Sequence, residues 1–198
     1  QVVVDFTPEP LTQDVSFVFH IEKTADVVVD SLTAEISGIP STMELTTGLI
    51  LAQKTYKLLF RPTYAALPSA ADSASAETLR CEASVNIPGI VRSHTEDMVT
   101  GPGILQIAIY THYDYEEEGT QRKAAKVFHA GINLYHTLKE RKSLQWDEEE
   151  NGYRQASRSI TVEIGSPLNI DKDGILNRGS TSTGLDQWIP GETFEIEV

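Results

Sequence analysis

A single cysteine, Cys81, stands in a chain of 198 residues, so no internal disulfide can form and packing alone must hold the fold. Its place on the apolar side of a strand-like run makes a buried, inert thiol the default reading. One cysteine says little about redox compartment. No apolar stretch approaches the ~18–20 residues of a membrane-spanning helix. Basic residues are scarce too, 16 against 29 acidic, for a formal net charge of -13. Such a surface repels phosphate backbones and anionic head groups, which disfavours nucleic-acid binding; solubility is the plainer reason for the acidity. There is no signal-peptide pattern, and Gln1 leads straight into the strand-like Val2-Val3-Val4-Asp5-Phe6. A start without Met points to a processed product or an excised piece, so the missing targeting segment is uninformative.

Helical periodicity is nearly absent as well. What replaces it is alternation at period two: Val15, Phe17, Phe19 and Ile21; Leu32, Ala34 and Ile36; Leu79, Cys81, Ala83, Val85 and Ile87; and Phe194, Ile196 and Val198. Each such strand covers a core on one side and meets water on the other, the pattern of antiparallel sheets. With 40% hydrophobic residues the chain can bury a sizeable core, and a single all-β domain over residues 1–198 is expected. Strands are expected at 2–6, Asp14–Glu22, Val27–Ser37, Thr55–Arg61, Thr78–Ile87, Ile104–Tyr113, Lys126–Leu134, Ser159–Ile164 and Thr193–Val198. Gly38-Ile39-Pro40 reads as a break, Met43–Thr46 as a brief strand, and Tyr64–Glu77, rich in Ala and Ser, as an exposed loop. Ile104–Tyr113 is apolar on both faces and should lie inside a sheet, covered on both sides. Asp114–Gly119 reads as an acidic hairpin tip, and Leu134–Leu144 as one or two helical turns at most. Eight to ten strands with regular turn signals predict an antiparallel β-sandwich with Greek-key connections.

The motifs that could carry chemistry are weak. Asn169-Ile-Asp171-Lys-Asp173-Gly174 resembles the opening of a calcium loop, but Asn stands first and Ser180 twelfth, where carboxylates belong. Asp-Lys-Asp-Gly is also an ordinary turn. The acidic runs Glu116–Glu118 and Asp147–Glu150 match solvated loops. The five histidines, His20, His94, His112, His129 and His136, show no metal-ligand spacing, although cross-strand neighbours could meet. Thr100-Gly101-Pro102-Gly103 precedes a strand rather than a helix, which is mechanically wrong for a phosphate cradle. No serine lies in a Gly-x-Ser-x-Gly elbow and Cys81 lacks a nucleophile's surroundings. No catalytic, cofactor or metal residue is assigned, and a non-enzymatic protein is expected. Trp146 and Trp188 each have two readings, a platform for stacking sugars or an anchor closing the sandwich; for Trp188, which leads into the last strand, the anchor is favoured.

Three stretches together carry a resemblance: Leu32-Thr-Ala-Glu-Ile-Ser-Gly-Ile-Pro40 running to Met43-Glu-Leu-Thr-Thr-Gly48; Gly101-Pro-Gly-Ile-Leu-Gln-Ile-Ala-Ile-Tyr-Thr-His112; and Leu185-Asp-Gln-Trp-Ile-Pro190 with the final strand. Over most of residues 12–198 the chain resembles the C-terminal half of fimbrillin-like lipoproteins of Bacteroidetes, the group containing type V pilus anchor and accessory subunits. The resemblance implies a transthyretin-like sandwich at the cell surface or outer membrane, acting in fimbria assembly or cell adhesion. It implies other fimbrial subunits or surface ligands as partners, with a lipidated cysteine and a preceding domain upstream. The loops at 65–77 and 114–119 have no counterpart in that pattern. A second expectation, from a different class, is a carbohydrate-binding accessory domain of a glycan-utilisation system, using Trp146, Trp188 and loop carboxylates; a third and weaker one is a hydrolase. In folds of the first kind an exposed edge accepts another subunit's strand, and Thr193–Val198 is expected to fill its own sheet, so that deleting 193–198 would open an apolar groove.

Overall fold

A computed structural model describes residues 10–68, 76–176 and 186–196. Among them the chain forms β1 (Gln13–Thr24), β2 (Val28–Met43), β3 (Ile50–Phe60), β4 (Thr63–Ala66), β5 (Ala76–Ile87) and β6 (Ile104–Glu117). There follow β7 (Thr120–Asn133), the helix α1 (Tyr135–Arg141), β8 (Leu144–Asp147), β9 (Gly152–Gln155), β10 (Ser159–Glu163), β11 (Leu168–Ile170) and β12 (Trp188–Ile196). One sheet runs β10-β1-β5-β4, with β11 also on β1; the other runs β12-β7-β6-β2-β3-β9-β8. The two pack face to face, so the chain is an all-β sandwich with one short helix, as the alternation predicts. Candidate strand 2–6 and Val198 lie outside the described residues.

Alternation builds the core directly. Val15, Phe17, Phe19 and Ile21 of β1 are all fully buried. They face three cross-strand rows of the larger sheet: Ile36–Leu105–Ile132, Ala34–Ile107–Ala130 and Leu32–Ile109–Phe128. These residues form one contiguous cluster, each large side chain contributing about 1.5–3 kcal/mol of burial. The middle row is small on both flanks, and Phe17 stacks on Phe60 at 5.1 Å between ring centroids. β6 lies inside its sheet, as its two apolar faces predict. Its outward side is covered only in part: Ile104 and Ala108 are buried, whereas Gln106 and Tyr110 are exposed.

Five expectations are corrected. Gly38-Ile39-Pro40 does not break the strand; β2 continues to Met43 through register shifts on either side of it. Gly38 makes this possible at φ +88, with Gly103 N and Val91 O each 2.7 Å from where a Cβ would sit, so a bulge bends the strand without ending it. Met43 is that strand's last residue, and Glu44–Gly48 is a turn closed by Gly48 N–H donating to Glu44 O at 2.9 Å. The acidic hairpin stays paired to Glu117↔Thr120, leaving Glu118 and Gly119, both at positive φ, as a tight two-residue turn. Finally, β10 and β11 pair parallel with β1, so the smaller sheet is mixed rather than purely antiparallel. The Ala/Ser stretch begins as β4 and ends as β5, and 69–75 lie outside the described residues.

Candidate functional site

The single helix is held by residues distant in sequence. Its N-cap position, Leu134, has no capping side chain. Instead both carboxylate oxygens of Asp186, just before β12, accept the backbone N–H groups of His136 and Thr137 at 2.9 Å each. This satisfies two of the donors that a helix start leaves open. Asn133 accepts the Tyr135 N–H at 3.0 Å and donates to the carbonyls of Thr95, Glu96 and Met98, fixing the loop that follows Arg92. At the other end Ser143 Oγ accepts the Ile90 N–H and donates to Gln13 Oε1, each at 3.0 Å. Gln13 Nε2 returns to Ser143 O at 3.0 Å. These buried polar groups are mutually satisfied and fasten α1, the 90–94 loop and β1 together.

With Leu138 turned into the core, Tyr135 and Lys139 stand at i and i+4 on one outer face of α1, and Lys142 follows as its left-handed C-cap residue at φ 51. Arg92 sits over the Tyr135 ring at 4.8 Å and Lys139 Nζ at 5.8 Å. Across from this face stands the β8–β9 hairpin, where Trp146 pairs with Tyr153, their rings edge to face at 4.9 Å. Trp146 is 47% exposed. Between helix face and hairpin lies an open cleft of about 410 Å³ lined by Arg92, His94, Lys139, Lys142, Trp146 and Tyr153. Among the described residues no ion pair engages Arg92, Lys139 or Lys142. The nearest acidic run begins at Asp147, whose carboxylate accepts from Arg154 Nε at 2.8 Å. That bond, with the Glu150 backbone N–H, holds Asp147 below the usual carboxylate range. Asp147 and Arg154 alternate with Trp146 and Tyr153 and so lie on the hairpin's other face.

A second feature is the outward side of the larger sheet. There Ser31, Tyr110, Val127 and Phe194 form one cross-strand row, and Leu59, Glu35, Gln106, Gly131 and Ile189 another. Leu59, Tyr110, Ile189 and Phe194 are all exposed large apolar side chains. The terminal strand does fill its own sheet, paired antiparallel with β7. Its anchor is at its start. Trp188 is 2% exposed, meets Phe19 edge to face and donates Nε1–H to Ser166 O at 2.9 Å. Phe194, expected to face the core, lies outward against His129 at 5.6 Å, because the register shifts between Pro190 and Thr193.

The other sequence candidates are dispersed. Cys81 is buried in β5, where desolvation raises its thiol to about 12. His112 binds Asp30 and His136 binds Glu96, at 2.8 and 2.7 Å. Among the described residues no three His, Cys, Asp or Glu side chains gather as metal ligands would. In the 169–180 loop, Asp171 Oδ1 accepts the N–H groups of Asp173 and Gly174 at 2.8 Å each, as in a simple turn; Ser180 lies outside the described residues. Among the described residues no helix is long and apolar enough to cross a membrane. Sequence reading singled out Trp146 but missed Arg92, Tyr153 and the capping role of Asp186. The Tyr135, Lys139 spacing was readable, whereas Arg92 reaches the cleft only through the tertiary fold. The chain matches no family model, no curated protein and no solved structure.

Proposed function

We propose that this chain is a non-enzymatic cell-surface module that works in fimbria assembly, anchoring or adhesion through its sheet and loop surfaces. In this reading it is the C-terminal domain of a lipid-anchored outer-membrane protein, and its partners are other fimbrial subunits or surface ligands. The resemblance in the sequence supplies the class. The structural observation that supports it is the exposed apolar side of the larger sheet, where Leu59, Tyr110, Ile189 and Phe194 share one face. Polar Glu35, Gln106 and His129 lie among them, so the apolar part centres on the Tyr110–Val127–Phe194 row; exposed apolar side chains grouped in this way mark a contact surface. Because β12 already occupies its own edge position, this reading makes the domain self-complete and monomeric when isolated. The test deletes the gene in its native cell and restores it as wild type or as Phe194→Glu/Leu59→Glu. Fewer or detached fibres, or lost adherence, restored by wild type alone, is the expected result; a deletion strain with unchanged fibres and adherence refutes it.

One observation favours a second reading, a carbohydrate-binding accessory domain. Half-exposed Trp146 is braced edge-on by Tyr153 at the mouth of a cleft, which presents a flat aromatic face to solvent.

A further inference from the structure

We propose that the cleft between α1 and the β8–β9 hairpin binds an acidic saccharide, a sugar unit bearing a carboxylate or a sulfate. The proposal rests on the second, carbohydrate-binding reading and gives it a ligand class; it is independent of the fimbrial one. Two sets of groups converge from opposite walls. The hairpin wall is aromatic, with Trp146 and Tyr153 at 4.9 Å. The helix wall is cationic, with Arg92, Lys139 and Lys142. Arg92 and Lys139 both lie over the Tyr135 ring, 4.8 and 5.8 Å from its centroid. In a chain of net charge -13, three cations gather at this one cleft with no carboxylate partner among the described residues. The gap they leave fits an anion supplied from outside.

Lys139 also complements the negative end of the helix, but that accounts for neither Arg92, which comes from a separate loop, nor the aromatic wall. The volume of about 410 Å³ falls in the ~300–1,000 Å³ range of small-ligand pockets. An indole face stacks well on the C–H side of a pyranose ring, an apolar surface with polar edges. Guanidinium is suited to paired hydrogen bonds with carboxylate or sulfate oxygens, and ammonium to point-charge contact. Glu148, Glu149 and Glu150 follow Trp146 at the hairpin tip, so a long polyanion passing that rim meets like charge. The site therefore favours a short or terminal acidic sugar.

The experiment titrates the intact chain, at low and at physiological salt, with a trigalacturonate (carboxylate), a sulfated disaccharide, neutral maltotriose, a Glu-rich peptide and a single-stranded oligonucleotide. Binding is read by calorimetry and by fluorescence, where Trp146 is the solvent-exposed indole. The expected result is binding of at least one acidic sugar that weakens with salt. Maltotriose should bind at least tenfold more weakly. Trp146→Ala and Arg92→Gln/Lys139→Gln should each weaken acidic-sugar binding by about tenfold or more, with the cooperative thermal transition retained and lowered by only about 2–4 °C. The carboxylate and sulfate arms tell the two sources of anion apart. Equal binding of maltotriose overturns the acidic-sugar proposal and leaves the carbohydrate reading standing. Equal or tighter binding of the peptide or the oligonucleotide, or no binding of any sugar by the folded protein, overturns both.

Discussion

Replacing Trp188 by alanine should destabilise the domain far more than the same change at Phe194, although both are aromatic residues of one terminal strand. Trp188 is 2% exposed, and emptying such a site costs about 3–5 kcal/mol. Loss of its Nε1–H bond strands the Ser166 carbonyl, for roughly 1 kcal/mol more. Phe194 is 50% exposed, so only about half of its transfer term, plus the edge contact with His129, is at stake: roughly 1 kcal/mol. Against a typical total of about 5–15 kcal/mol, the first change is severe and the second mild. Urea unfolding followed by far-ultraviolet circular dichroism measures both, with equal denaturant slopes confirming the same transition. Trp188→Phe is the control: it keeps most of the volume and loses the hydrogen bond, for about 1–2 kcal/mol. A Phe194→Ala penalty equal to that of Trp188→Ala would refute the reasoning, since it would put the strand's hold at its end.

Three further perturbations follow from features already described. Gly38→Ala places a Cβ 2.7 Å from Gly103 N and Val91 O at φ +88; with ~1–2 kcal/mol for the left-handed backbone alone, a loss above about 2 kcal/mol is expected in the same urea assay. Asp186→Ala removes two helix-start acceptors, about 1–2 kcal/mol, and the amide protons of His136 and Thr137 should exchange faster by NMR while those of β1 do not. Burial lifts the Cys81 thiol from 9.0 to about 12, so above pH 9 the unfolded chain sheds a proton that the folded one keeps, and stability falls as pH rises toward 12. By pH 10 this amounts to roughly 1 kcal/mol. The gap between wild type and Cys81→Ala should narrow by that amount from pH 7.5 to pH 10; a constant gap would contradict the assignment.

The sandwich was legible because burial on one side imposes period two, and the inward faces of β1, β2, β5 and β6 stand where the alternation put them. Alternation does not report which side a short strand turns inward once its register slips. At β12 a shift between Pro190 and Thr193 carried Phe194 to the outside, a tertiary event with no local signal. The parallel pairing of β1 with β10 likewise joins residues too far apart for turn chemistry to announce. Gly-Ile-Pro reads as punctuation in isolation, yet a glycine at positive φ can serve a bulge as well as a turn. Of the cleft, Trp146 and the helix spacing were visible. Arg92 and Asp186 were not, because each reaches α1 from a segment tens of residues away.

The Asp186 clamp ties two distant parts of the molecule into one equilibrium. Asp186 belongs to the segment that delivers Trp188 and β12, yet its carboxylate holds the start of the helix bearing Lys139 and Lys142. Fraying of the segment before β12 would leave the His136 and Thr137 N–H groups without these acceptors, and free-energy coupling between two such events is reciprocal. Any occupant that favours the ordered helix must tighten the grip of the last strand by the same factor that the strand lends to binding. A single carboxylate thus joins the order of the helix start to that of the segment leading into β12.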